Sequence, residues 1–148
     1  MLSTLLLIAT LFHGSGEDEL PIELYSFRLL FEKKEIEQLH VYTFQEFLYD
    51  DDQFQGKPIP DDDLHFLGVD TAEVDGDYFA IYSFPFSPIH VGLVVRQPGH
   101  YHSTLIVLYV TELQTGKVVS KLDLADSWGE LDWMFMQDSW LLYLNKDP

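Results

Sequence analysis

The chain has no cysteine. That excludes disulfide bonds, CxxC redox chemistry, thiolate zinc sites and a cysteine nucleophile. Basic residues are scarce as well: 8 Lys and Arg stand against 25 Asp and Glu, for a formal net charge of −17. Sequence-independent nucleic-acid binding needs a basic footprint that neutralises phosphates. The longest basic run is Lys33-Lys34, so nucleic acid is excluded as a partner. An anionic membrane surface is disfavoured on the same electrostatic ground. Cations, basic proteins and neutral ligands stay open, and an acidic surface by itself confers solubility. No apolar stretch approaches the about 20 residues of a membrane-spanning helix. A Gly-x-Ser-x-Gly nucleophile elbow, a glycine-rich phosphate loop and a His-Glu-x-x-His pair are all missing.

What the chain does have is apolar material. Hydrophobic residues make up 47% and aromatic residues 15% of its 148 positions. A chain of this size buries roughly 70% of its unfolded surface, so a folded domain is expected and disorder is not.

"MLSTLLLIATLFHGSGEDELP" opens the sequence. The apolar run from Leu5 to Phe12 is extended by Leu2, followed by Gly14-Ser15-Gly16 and then by acidic residues. That order is the order of a secretory signal peptide. We therefore expect residues 1–16 to be a leader and residues 17–148 a single exported domain, periplasmic or extracellular. No Lys or Arg precedes the run, and Gly-Ser-Gly departs from Ala-x-Ala. The alternative is a buried first element of a cytoplasmic protein.

Residues 17–68 read as the helix-containing part and residues 70–146 as antiparallel β. Residues 22–31 suit a strand or a helix. Ile36, Leu39, Thr43, Phe44, Phe47 and Leu48 recur at helical spacing, which predicts an amphipathic helix over 33–48. Residues 49–63 hold six Asp, Gly56, Pro58 and Pro60 and read as a solvated loop. A short helical turn follows, capped by Asp61 or Asp62 and stopped by Gly68. Asp75-Gly76 has hairpin-turn chemistry. Strands are predicted at 77–84, ended by Pro85 and Pro88, and at 90–96, 103–111 and 117–124. The 103–111 run is nearly continuously apolar, as in a strand covered on both faces or one central in the sheet. Gly116 supplies a left-handed turn residue, residues 125–132 a longer turn, and "WMFM" and "SWLLYLN" two last strands. Short connections make neighbours of consecutive strands. The expected fold class is α+β: a helical amino-terminal region packed on an antiparallel meander of about five or six strands.

Gly92-Leu93-Val94-Val95, Thr115-Gly116-Lys117 and Asp138-Ser139-Trp140-Leu141 give residues 77–144 a likeness to known chains. They resemble uncharacterised exported β-meander proteins of the Bacteroidetes type. The strand–"TGK"–strand pattern also looks like one β-propeller blade, but the chain is too short for a propeller. The resemblance implies export and a β-meander; it implies no catalytic residue.

Three candidate sites emerge. His100 and His102 stand two apart, and His90 is the residue to complete a metal set, since zinc needs at least three protein ligands. Following Pro98-Gly99, the pair is better read as hairpin histidines. The acidic clusters at 50–52, 61–63 and 70–77 lack the spacing of a calcium loop. Trp128, in its glycine-containing turn with Glu130 and Asp132, is the exposed aromatic expected at an interface, whereas Trp133 and Trp140 are expected in the core. No catalytic residue and no cofactor is indicated. The function expected is a non-enzymatic exported binding or interaction protein for a protein or neutral ligand. A cytoplasmic, acidic immunity- or inhibitor-like protein for a basic partner is the alternative, and a metal-dependent hydrolase the third reading.

Overall fold

The structure is a computed structural model and describes residues 20–43, 54–73, 75–99, 104–130 and 133–142. The proposed leader, residues 1–16, lies outside them. Nine strands are seen among the described residues. They are β1 (Glu32–Lys33), β2 (Gln38–Val41), β3 (Lys57–Pro58), β4 (Phe79–Ser87), β5 (His90–Pro98), β6 (Thr104–Glu112), β7 (Val118–Glu130), β8 (Trp133–Gln137) and β9 (Ser139–Leu142). One α-helix, α1 (Ile22–Arg28), precedes them, and two 3-10 helices, Asp61–Leu67 and Thr71–Glu73, precede β4.

Strands β4 to β8 form the expected antiparallel meander. On the outer edge of β4, β1 pairs in parallel at Tyr82 and Ser83, and β3 pairs antiparallel at Phe79 and Ala80. The sheet is thus mixed and seven-stranded. A separate two-stranded ribbon joins β2 to β9.

Pleating divides the apolar strands between two cores. Leu93, Val95, Val107 and Tyr109 point to one face, where Leu24 and Phe27 of α1, Phe31, Leu64 and Leu67 cover them. Val94, Ile106, Leu108 and Val110 point to the other, under Leu39 and Val41 of β2 and Phe54. This explains the unbroken apolar run of β6. A strand covered on both faces has no wet side, and each side chain so buried stabilises the fold by about 1.5–3 kcal/mol.

Turn chemistry holds in two places. Gly68 ends its 3-10 helix at φ 68°. Gly116 turns β6 into β7 at φ 71°, and a Cβ there would meet Leu24 Cδ1 at 2.5 Å. The glycine is therefore required twice, by its backbone and by the helix lying against it.

Several expectations are corrected. Residues 32–33 and 38–41 are strands, not part of a helix over 33–48; residues 44–48 lie outside the described residues. In β2 burial alternates, with Leu39 and Val41 inside, and the partner that makes it a strand comes from β9. Among the described residues of the amino-terminal part, only 22–28 form an α-helix. Pro60, not Asp61 or Asp62, occupies the cap of the first 3-10 helix. Asp75-Gly76 follows a 3-10 helix rather than a strand, so it closes no hairpin. Pro85 does not end β4. It lies opposite Val91, next to a register shift and beyond the reach of β1, where a missing N–H is tolerated. Residues 125–130 extend β7 instead of forming a turn. The last strand leaves the meander to pair with β2.

Candidate functional site

The outer side of the β2–β9 ribbon gathers the polar and aromatic groups that the two cores leave out. Ribbon pairing sets Leu39 opposite Leu141 and His40 opposite Trp140. Leu39 and Val41 turn inward, so the intervening His40 is carried outward with Trp140. His40 and Trp140 stack with centroids 4.4 Å apart and planes 7° apart.

Asp138, the single residue between β8 and β9, holds the histidine. Its Oδ2 lies 2.5 Å from His40 Nε2. A carboxylate only accepts, so Nε2 carries the proton and donates. Tyr42 lies 5.3 Å from the His40 ring and meets Phe54 edge-on at 5.1 Å. Phe54 in turn meets Tyr82 of the main sheet at 6.2 Å. A line of rings thus runs from the ribbon surface to the core. Trp140 is nevertheless 55% exposed and Leu142 58%. Aromatic contacts and one charge-assisted hydrogen bond fix a ring that solvent still reaches. Trp140 was expected in the core. It is outside because β9 lies across the sheet as a ribbon, with one face covered and one open.

The arrangement is suited to holding a flat or cationic group. An exposed indole offers a face to stack on, and the Asp138 carboxylate beside it offers acceptors. Nucleophilic catalysis needs a hydroxyl or thiol bonded to the base. Among the described residues no hydroxyl is hydrogen-bonded to His40.

Of the candidates read from the sequence, Trp128, Glu130 and His90 lie among the described residues. Trp128 and Glu130 lie in β7, opposite Phe135 and Trp133, so the turn expected to expose them is a strand; Asp132 lies outside the described residues. The β7–β8 hairpin that carries them leads through Gln137 into Asp138. His90 opens β5, and its Nδ1 is 2.8 Å from Ser87 Oγ, across the two-residue turn Pro88-Ile89. His100 and His102 lie outside the described residues. Among the described residues no group of three His, Asp or Glu side chains converges as a metal site would require. A shallow cleft between β1 and β3 is lined by Leu30, Glu32, Gln55, Lys57 and Tyr82, none of them a candidate from the sequence.

Arg96 and Tyr109 are tied into the fold away from the ribbon. Arg96 donates to the Phe54 and Gln55 carbonyls and lies over the Phe79 ring; burial lowers its pKa from the usual guanidinium value. The Tyr109 hydroxyl donates to Gln97 Oε1 at 2.6 Å. Burial, with Tyr78 and Asp123 nearby, pushes its pKa well above the usual phenol value.

The pairing of His40 with Asp138, 98 residues apart, was not foreseen. The only local signal was the alternation of Gln38-Leu39-His40-Val41, which a helical spacing of neighbouring apolar residues outweighed. Comparison with known protein families, with characterised proteins and with solved structures finds no match. No helix among the described residues is long and apolar enough to cross a membrane.

Proposed function

We propose that the chain is an exported, non-enzymatic binding protein that receives its partner on the outer face of the β2–β9 ribbon. The observation that carries this reading is Trp140, more than half exposed yet held parallel to His40 at 4.4 Å. An immobilised aromatic loses little conformational freedom on binding, which is the property of an interface anchor. Leu142 adds apolar surface, and Asp138 adds the acceptor that a cationic group needs. Trp128, Glu130 and Asp132, the sequence candidates close in the chain to Asp138, are the residues we propose to extend the contact.

The charge of −17 favours a second reading on its own. In it an acidic, inhibitor-like cytoplasmic protein captures a basic partner through its carboxylates. Ionic capture weakens steeply with salt, whereas stacking on an indole does not. The test titrates a short Lys- and Arg-containing peptide and its Ser-substituted counterpart against wild type and Trp140→Ala, at low and physiological salt. Binding that the Trp140→Ala variant loses and that survives salt supports the aromatic anchor. Equal binding by both proteins would remove Trp140 from the site. Amino-terminal sequencing of the protein produced in its own host tests export: a chain beginning after Gly16 supports it, and a retained Met1 would overturn it.

A further inference from the structure

The outer edge of β4 changes partner at one residue. β3 pairs with Phe79 and Ala80, β1 pairs with Tyr82 and Ser83, and Ile81 alone lies between the two. On the inner edge Ala80 pairs with Val95 and Tyr82 with Val94, so Ile81 is the extra residue of a bulge. A bulge re-aims the side chains beside it, and bulges are common next to functional sites. Here Ala80 lies in the core under α1, whereas Ile81 and Tyr82 both lie in the core under β2. The cleft between β1 and β3, about 240 Å³ in volume, opens at this position. It crosses the sheet edge, since its lining includes Leu30, packed against the first core, and Tyr82, a member of the second.

The lining combines apolar walls with two unmatched charges. Leu30, Ile81 and Tyr82 are apolar or aromatic. Gly56 has φ 72°, and a Cβ there would meet the Ala80 carbonyl oxygen at 2.6 Å. Only a glycine brings the chain this close, so that part of the wall is bare backbone. Glu32, opposite Tyr82, and Lys57, opposite Ala80, are exposed and line the cleft on either side of Ile81. Neither side chain has a hydrogen bond or ion pair among the described residues. The neighbouring Lys34 ammonium is taken up over the Tyr82 ring at 4.1 Å.

We propose that this cleft binds a small zwitterion, an α-amino acid with an apolar side chain. Its ammonium meets the Glu32 carboxylate, its carboxylate meets the Lys57 ammonium, and its side chain lies against Leu30 and Ile81. Two opposite charges flanking one residue position match two opposite charges held on one carbon. A dicarboxylate would meet Glu32 and the chain's own charge of −17, and a diamine would meet Lys57. A zwitterion carries no net charge and escapes both penalties. A cleft of about 240 Å³ is below the usual size of a drug-like site and suits a ligand of this size. The site is separate from the ribbon and does not depend on the function proposed above.

Valine titrated into the full chain at physiological ionic strength, followed through the backbone amide resonances, tests this. Saturable shifts of the Gly56 and Ile81 amides are expected at millimolar ligand. Valinamide keeps only the cation and N-acetylvaline only the anion. Each should bind about tenfold more weakly than valine, having lost one charge-assisted hydrogen bond. Glu32→Gln and Lys57→Gln should weaken valine by a similar factor while the circular dichroism spectrum stays that of the wild type. Lys57→Gln should then bind valine and valinamide alike, and Glu32→Gln should bind valine and N-acetylvaline alike, which a loss of folding would not produce. Absence of saturable shifts at Gly56 and Ile81 overturns the proposal. So do analogues that bind as tightly as valine, or variants that still prefer valine as the wild type does.

Discussion

Tyr109 shows how much one side chain joins. It is fully buried in the core under α1, donates to Gln97 and carries the Lys121 ammonium over its ring at 4.7 Å. Its neutral form is the one the fold accommodates. A phenol whose folded pKa is raised keeps its proton where the unfolded chain loses it. Its contribution is complete below the unfolded value of 10.0 and is lost as pH rises beyond it, because the unfolded state then binds fewer protons than the folded. Tyr78 is raised by burial in the same sense. Denaturant melts across the alkaline range should therefore show stability falling above pH 10, and Tyr109→Phe should flatten that fall. The same variant loses about 1 kcal/mol at neutral pH with its hydrogen bond to Gln97. An unchanged alkaline slope would show that Tyr109 is not the titrating group.

At the scale of elements, α1 is short and depends on what it is tied to. Seven residues cannot sustain a helix alone. Glu23 in its first turn and Arg28 in its last suit the helix dipole, but the stronger restraint is tertiary. The Arg28 guanidinium donates to the Leu113 carbonyl at 2.8 Å and the Glu112 carbonyl at 2.9 Å, at the β6–β7 turn. Gly116, in that same turn, makes room for Leu24. Arg28→Ala should cost about 1.5–3 kcal/mol in a denaturant melt, the range for hydrogen bonds to a charged group. A change within about 0.5 kcal/mol would place Arg28 among ordinary surface residues. The helical spacing over 33–48 misled because apolar positions satisfy two periods at once over a few residues. Leu39 and Val41 alternate as a strand requires, and the partner that settles the matter is about 100 residues away in the chain.

At the scale of the molecule, charge and layering act together. A net charge of −17 works against the compact state by self-repulsion, and two apolar layers on one sheet oppose it. Neutral salt screens the repulsion and leaves the buried layers in place. The thermal midpoint should therefore rise as sodium chloride is added from low to physiological concentration. A falling midpoint would mean that attractive ion pairs outweigh the repulsion.

The meander was legible from the residues because its causes are local. The apolar run of β6, the left-handed glycine at 116 and the short connections set strand after strand beside its neighbour. The unbroken apolar character of 105–110 also pointed to a strand covered on both sides. What covers it was decided only in three dimensions. The ribbon of β2 and β9, the outward Trp140, its stack on His40 and the Asp138 tie all join residues about 100 apart. No local pattern carries such a pairing, since it arises from which surfaces remain to be buried once the main sheet has formed. Composition alone excluded disulfides and argued against a nucleic-acid partner, because charge and cysteine count do not depend on the fold. The position of a binding face does, because it is set by the side of each strand that the core leaves uncovered.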